Sequence, residues 1–201
     1  MNDHYYTENP HSAHDEREVT VEIFGKVLRF VTDAGVFSRD GLDRGTEVLL
    51  KALPPMSGRA LDLGCGWGAV GVSLAAREPG LEVVMTDINA RAVELARRNL
   101  AANGLRAEVV QGDGFESVQG KFDVIVSNPP IRAGKAAIYG MFDAARGFLK
   151  SGGAMYIVIR KQQGADSAKA YLTTLFENVE TIARKKGFYI FCCSGPLPAG
   201  A

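Results

Sequence analysis

Cysteine and histidine are scarce in this chain, and their positions exclude several chemistries. The cysteines are Cys65, Cys192 and Cys193. An odd, irregularly spaced set builds no disulfide framework and fits reduced cytosolic thiols. Cys192 and Cys193 on a strand would point to opposite faces, so they make poor joint metal ligands and suit small buried hydrophobes. The histidines, His4, His11 and His14, all fall in the polar first stretch. A histidine-activated nucleophile and a histidine-ligated metal are therefore disfavoured, and no metal is expected. Charge of one sign is also lacking. Lys+Arg and Asp+Glu both number 23, so there is no basic coat, and any RNA contact must come from local patches. No apolar run approaches the roughly 20 residues of a membrane span. The start MNDHYYTENPHSAHDERE lacks the basic and then apolar pattern of a secretory signal. The expectation is a cytoplasmic protein with no membrane partner.

The 201 residues suffice for one domain with a small appendage. Residues 1–18 have no period and suggest a flexible leader, docked by Tyr5 and Tyr6. Residues 19–55 suggest an N-terminal extension. Val19–Phe24 and Val27–Val31 alternate around a Gly25-Lys26 turn, as a β-hairpin does, and Asp43–Leu53 suggests a helix stopped by Pro54-Pro55. From 56 to 201 the pattern changes. Strands are expected at Ala60–Leu63, Leu81–Met85, Ala107–Val110, Phe122–Val126 and Ala154–Ile159. Helices are expected at Ala69–Arg77, Ala90–Ala102, Ala136–Leu149 (closed by Gly152-Gly153) and Ala165–Phe176. A hairpin of Val179–Ala183 and Phe188–Cys192 closes the chain. Strands alternating with helices give an α/β, doubly wound, mostly parallel sheet, with one antiparallel strand from the terminal hairpin.

Two motifs carry chemistry. Leu61-Asp62-Leu63-Gly64-Cys65-Gly66-Trp67-Gly68-Ala69-Val70-Gly71 is a strand, a glycine turn and a helix start. Gly66, Gly68 and Gly71 match the spacing of a dinucleotide loop, so a nicotinamide-dependent oxidoreductase is one alternative. Asp62 beside the loop would repel a pyrophosphate and attract an ammonium. Asp87, ending the second strand, can take both hydroxyls of a ribose. Asp113, in Gly112-Asp113-Gly114-Phe115, can accept from an adenine amino group, with Phe115 packed on the ring. An ammonium, a ribose and an adenine without phosphate describe S-adenosylmethionine. Trp67 is assigned to packing under the helix. The second motif is Asn128-Pro129-Pro130-Ile131, directly after an apolar strand. The prolines bar strand continuation and an immediate helix, leaving a stiff loop at a strand's carboxyl end, where α/β folds bind ligands. The Asn128 amide oxygen and the Pro129 carbonyl together suit a planar –NH2 group, whose two hydrogens need acceptors.

On these residues the chain resembles the class I S-adenosylmethionine-dependent methyltransferases, and more closely the methyltransferase small domain family, which includes ribosomal RNA small-subunit guanine-N2 methyltransferases. Gly35-Val36-Phe37-Ser38, Leu42-Asp43-Arg44-Gly45-Thr46, the glycine loop and Ser127 to Lys135 carry the resemblance. It implies a seven-stranded Rossmann-like fold. It implies that Gly64, Gly66 and Gly68 line the methionine part of the cofactor, with Asp62 near its amino group. Asp87 would bind the ribose, Asp113, Gly114 and Phe115 the adenine, and Ile88 would also contact the cofactor. Phe37 and Thr46 would sit over the cofactor. Asn128 would touch both cofactor and target amine, with Pro129, Pro130 and Ile131 completing the catalytic loop. Two departures bear on the substrate. Ile131 stands where many amino-methyltransferases carry a base-stacking aromatic residue. Two-domain members add a degenerate second copy, for which this chain has no length. The expected reaction is methyl transfer to an exocyclic amino group, foremost guanine N2 of ribosomal RNA. The RNA would be held through Arg132, Lys135 and Arg160-Lys161, whereas Arg184-Lys185-Lys186 suits a solvated turn. Adenine N6 and a protein glutamine amide are the alternatives among methyl acceptors, and a non-catalytic cofactor-binding protein is a further one.

Overall fold

A computed structural model describes Glu8 and residues 12–198. The expected docking of Tyr5 and Tyr6, and His4 and His11, lie outside the described residues. Nine strands and five α-helices are described: β1 (Arg17–Ile23), β2 (Lys26–Thr32), α1 (Arg44–Ala52), β3 (Arg59–Leu63), α2 (Ala69–Arg77), β4 (Glu82–Asp87), α3 (Ala90–Ala102), β5 (Glu108–Gln111), β6 (Phe122–Ser127), α4 (Lys135–Phe148), β7 (Leu149–Arg160), α5 (Ala165–Leu172), β8 (Phe176–Lys185) and β9 (Phe188–Pro196). β1 and β2 form a separate antiparallel pair, and the other seven form one sheet in the order β5-β4-β3-β6-β7-β9-β8. Only β9 runs against its neighbours. This is the doubly wound, Rossmann-like sheet expected. Among the described residues, no helix is long and apolar enough to cross a membrane.

The central strands carry near-continuous apolar runs because both faces are covered. Alternate residues go to opposite sides. Ala60, Val83, Met85, Val124 and Val126 join α1, α2, α3 and the β1–β2 hairpin. Leu61, Leu63, Val84, Ile125, Met155 and Ile157 join α4 and α5. The sheet order reverses between β3 and β6, and the register there places the site. Asp62 pairs with Val126 on one side and with Met85 on the other, and Asp87 pairs with Gln111. Two residues further along, Gly64 and Asn128 leave adjacent strands at the same level. The glycine loop, Asp87, Asp113 and Asn128 therefore crown four neighbouring strands at their carboxyl ends, the crevice expected of such a sheet.

Several boundaries differ from the expectation. The first hairpin turns on Phe24-Gly25, both left-handed (φ 53° and 70°), because Ile23 pairs with Lys26 and leaves a two-residue turn. Gly152-Gly153 do not close α4. β7 starts at Leu149, and the glycines form an irregularity opposite Phe122–Val124. A side chain at Gly153 would press on the Phe122 and Asp123 carbonyls, at 3.0 and 3.1 Å. α5 stops at Leu172, and the buried Phe176 begins β8. After Pro130 the chain makes a single 3-10 turn, Ile131–Ala133, rather than a wholly extended loop.

The described part of the first 18 residues is tied down. The Glu8 carbonyl accepts from Ala90 N at the start of α3 (2.9 Å). Glu16 takes both arms of Arg98, and His14 Nδ1 meets the buried Asp33 at 2.5 Å.

Candidate active site

A cavity of about 300 Å³ opens at the carboxyl ends of β3, β4, β5 and β6, within the range of small-molecule sites. Of the residues expected in the site, Phe37, Thr46, Asp62, Gly64, Gly66, Asp87, Ile88, Asp113, Gly114, Asn128, Pro129 and Pro130 line it. Three do not. Gly68 sits against α3, where a Cβ would lie 3.3 Å from Ala96 Cα. This glycine permits helix approach rather than ligand approach. Phe115 is buried and stacked on Phe148 (centroids 4.4 Å, 18° between planes), beneath the site rather than in its wall. Ile131 packs with the apolar cluster around α4. The wall also uses residues with no site role expected from sequence: Ser38, Asp43, Cys65, Trp67, and Ala137, Ile138 and Met141 on α4.

The glycine loop is built for an occupant. Gly64 and Gly66 adopt left-handed φ (73° and 54°), and a Cβ on either would meet nothing within 4 Å. Both positions line the cavity, so a side chain there would strain the backbone and fill open space. Trp67 turns inward, edge-on to Phe30 at 4.9 Å, and donates from Nε1 to the Phe37 carbonyl at 2.9 Å. It thereby ties the 35–38 segment to the loop while still contributing to the wall.

Two carboxyls hold the loop from below. Asp62 Oδ2 accepts from Gly71 N at 2.7 Å, and Asp87 accepts from Gly66 N (2.7 Å) and Asn89 N (2.9 Å). Gly71 must be glycine for this, because a Cβ there would collide with Met85 Sδ (2.1 Å) and crowd Asp62 Oδ2 (3.2 Å). Burial drives the Asp62 carboxyl up to about 7 despite the Gly71 N–H, with Asp87 adding like-charge repulsion. Asp87 is raised too, again chiefly by burial. Burial and these neighbours push the Cys65 thiol well up, so it stays protonated. Two N–H groups that a pyrophosphate would use at this turn, those of Gly66 and Gly71, are thus already held by carboxyls. Those bonds and the two acidic side chains beside the loop disfavour the dinucleotide reading of Gly66-x-Gly68-x-x-Gly71.

The amide of Asn128 is fixed in one orientation. Its Nδ2 donates to Thr46 Oγ1 at 2.9 Å and to Asp43 Oδ2 at 3.3 Å. A carboxylate only accepts, so the atom facing Asp43 must be the –NH2. Among the described residues, no donor reaches Asn128 Oδ1, and the residue lines the cavity. Asp43 is itself locked as the N-cap of α1, accepting from Gly45 N (2.7 Å) and Thr46 N (3.0 Å). Helix α1 therefore positions an acceptor on a loop 85 residues away in sequence. Thr46, expected over the cofactor, does its visible work here, buried and bonded to Asn128.

The family described as methyltransferase small domain matches residues 27–192. The chain is 38% identical over 195 residues to YbxB of Bacillus subtilis, covering 94% of this chain and 97% of that protein. It is 43% identical over 164 residues to ribosomal RNA small subunit methyltransferase C of Aeromonas hydrophila, covering 78% of this chain and 46% of that one. In structure it is similar to the T. thermophilus 16S rRNA N2 G1207 methyltransferase (RsmC) in complex with AdoMet and guanosine. That match has a TM-score of 0.82 at 27% identity, over 92% of this chain and 52% of that one. The chain thus spans about half the length of the ribosomal RNA methyltransferases it matches.

Proposed function

The chain belongs to the methyltransferase small domain family, and from that premise we propose that it methylates the exocyclic N2 amine of a guanine in ribosomal RNA. It is an S-adenosylmethionine-dependent methyltransferase. When bound, the cofactor supplies a methyl group already activated on a positively charged sulfur. The residues fit that group. Gly64 and Gly66 leave an open cradle. Asp62 is a buried carboxyl that gains from a nearby ammonium, and Asp87 keeps lone pairs for ribose hydroxyls. Ile88, Asp113 and Gly114 close the adenine end. A ribosomal RNA substrate would place the protein in the cytoplasm.

The observation that carries the reading is the clamped amide of Asn128. Thr46 and Asp43 occupy its –NH2, which leaves Oδ1 as an acceptor in the cavity beside the Pro129 backbone. An aryl amine is a weak nucleophile because its lone pair is delocalised into the ring. Acceptors at Asn128 Oδ1 and the Pro129 carbonyl hold its two hydrogens, favour a pyramidal nitrogen and leave the lone pair free. Both gain strength as positive charge develops on nitrogen, which is stabilisation specific to the transition state. Once the nitrogen is methylated, the surplus proton leaves to solvent, so no basic side chain is required. The α4 wall of Ala137, Ile138 and Met141 keeps the approach apolar and limits water.

Asn128→Ala is expected to lower single-turnover methylation by about 10²-fold with cofactor affinity retained, the scale for losing one preorganised polar contact. A rate near wild type would remove Asn128 from the reaction. The test of the function itself is incubation with labelled cofactor and unmodified ribosomal RNA, ribosomal subunits or total protein, followed by identification of the labelled group. N2-methylguanosine is expected, and label in N6-methyladenosine or in glutamine would overturn the assignment.

A further inference from the structure

We propose that Asp43 is the residue that selects guanine, by accepting the ring N1–H beside the amine that is methylated. The inference rests on the reading of the site as a guanine-N2 methyltransferase and adds the basis of its base choice.

Asp43 lines the cavity within 3.3 Å of the Asn128 amide. Among the described residues, all the bonds to its carboxylate fall on one oxygen. Oδ2 accepts from Gly45 N, Thr46 N and Asn128 Nδ2. Among the described residues, no donor reaches Oδ1. A carboxylate oxygen left open on a cavity-lining residue, next to the acceptor for the amine, can accept one more N–H.

Guanine presents such a row of donors. Its N1–H lies directly beside its N2 amino group, so an edge carrying N2–H2 and N1–H meets Asn128 Oδ1, the Pro129 carbonyl and Asp43 Oδ1 as successive acceptors. Adenine fails this pattern, because the ring nitrogen beside its amine carries a lone pair that would face the carboxylate. A glutamine amide fails too, since the group beside its –NH2 is a carbonyl oxygen. Apposing two acceptors leaves both desolvated and unpaired, and that penalty discriminates more sharply than any apolar contact. The rigidity of Asp43 matters as well. As the N-cap of α1 it cannot swing away to relieve a mismatch.

Two substitutions keep the cap and remove the free carboxylate oxygen. In Asp43→Asn the amide oxygen can continue to cap α1, which places an –NH2 where Oδ1 was. Asp43→Ser caps with a hydroxyl. Thermal midpoint and calorimetric cofactor affinity report that the fold and cofactor site are intact. The probes are guanosine and 2-aminopurine riboside, which share the 2-amino group, though the second has a lone pair in place of the N1–H. Binding of each is titrated to the protein saturated with S-adenosylhomocysteine, alongside N2 methylation of unmodified ribosomal RNA. Wild type should favour guanosine, and Asp43→Asn should lower that preference roughly 10- to 100-fold, as expected for a charged hydrogen bond. It should slow RNA methylation in parallel. A guanosine preference and a methylation rate unchanged in both folded variants would overturn the role of Asp43 and leave the guanine-N2 reading standing. Label on adenine or glutamine with the wild-type protein would overturn both.

Discussion

At the scale of single residues, the site depends on carboxyls placed where water is excluded. Asp62 shows the consequence. Its carboxyl is held at about 7 in the folded protein, against an ordinary value of 3.8, mainly by burial. The folded state therefore binds a proton that the unfolded chain has already released between about pH 4 and 7. Stability from this group is full below pH 4 and is lost as pH rises through 7. A shift of about three units bounds the effect at about 4 kcal/mol. Asp62→Asn, which can still accept from Gly71 N, should flatten the decline, as measured by denaturant unfolding of the ligand-free protein at pH 5 and pH 8. An ammonium beside Asp62 reverses the preference and favours the ionised form. Cofactor binding at pH 6 should then release nearly one proton in wild type and none in Asp62→Asn, read from calorimetry in buffers of different ionisation enthalpy. Equal proton release in both proteins would move the cofactor's amino group elsewhere.

At the scale of elements, α3 does more than cover the sheet. Asn99 and Asn103 are four residues apart and so share one helix face. Asn99 pairs with both backbone groups of Val31 (2.7 and 2.9 Å) and also donates to the Trp67 carbonyl (2.8 Å). Asn103 repeats the pattern on Arg29 (3.0 and 2.6 Å). Two side-chain amides thus serve as the missing neighbour of edge strand β2, satisfying groups that would otherwise be open to another strand. Asn99→Ala should cost about 2–4 kcal/mol, since two half-buried partners on Val31 and one buried partner on Trp67 lose their bonds. It should also raise amide exchange at Val31 selectively. A loss below 0.5 kcal/mol, within the ordinary range for surface changes, would mean water replaces the amide freely. Helices were the most legible part of the sequence. α2 and α3 lie within the bounds that apolar spacing and glycine or asparagine stops indicate, because local bonds decide both. The junctions around α4–β7 and α5–β8 were not legible. Gly152-Gly153 has the local signature of a helix stop, and only pairing with β6 makes it an irregularity within a strand. Leu172 and Phe176 keep helical spacing, and only the sheet edge pulls Phe176 into β8. The site divides in the same way. Asp62, Asp87, Asp113 and Asn128 were legible as cavity residues because each lies at or just beyond the carboxyl end of a strand of one sheet. Asp43 carries a visible helix-cap signature, but its meeting with Asn128 exists only after α1 packs on the sheet.

At the scale of the whole molecule, a chain of zero formal net charge would have to gather its cations locally to hold RNA, as the proposed function requires. The parallel sheet gathers cations by sending the carboxyl ends of β6, β7 and β8 to the rim that holds the cavity. Arg132 and Lys135 follow β6, Arg160 and Lys161 follow β7, and Arg184 to Lys186 end β8. The β8–β9 tip is held on that rim rather than standing free. Lys161 N donates to the Gly187 carbonyl at 2.8 Å, and Lys186 reaches Glu47 of α1 at 3.8 Å. Arg160 lies over the Phe188 ring at 5.9 Å and Arg184 over Tyr189 at 5.0 Å, which orients both guanidiniums without neutralising them. Each phosphate contact adds roughly 0.7 to the salt slope of single-strand RNA binding. Neutralising two rim cations in Arg160→Gln/Lys161→Gln should therefore reduce that slope by about 1.4. Affinity should fall alike for unrelated RNA sequences, because phosphate contacts carry no base information. Cofactor affinity should not change. Anisotropy titrations of unmodified ribosomal RNA fragments between 50 and 200 mM salt measure the slope. An unaltered slope would mean that RNA approaches from another side, and the rim cations would then serve only to keep the β8–β9 tip in place.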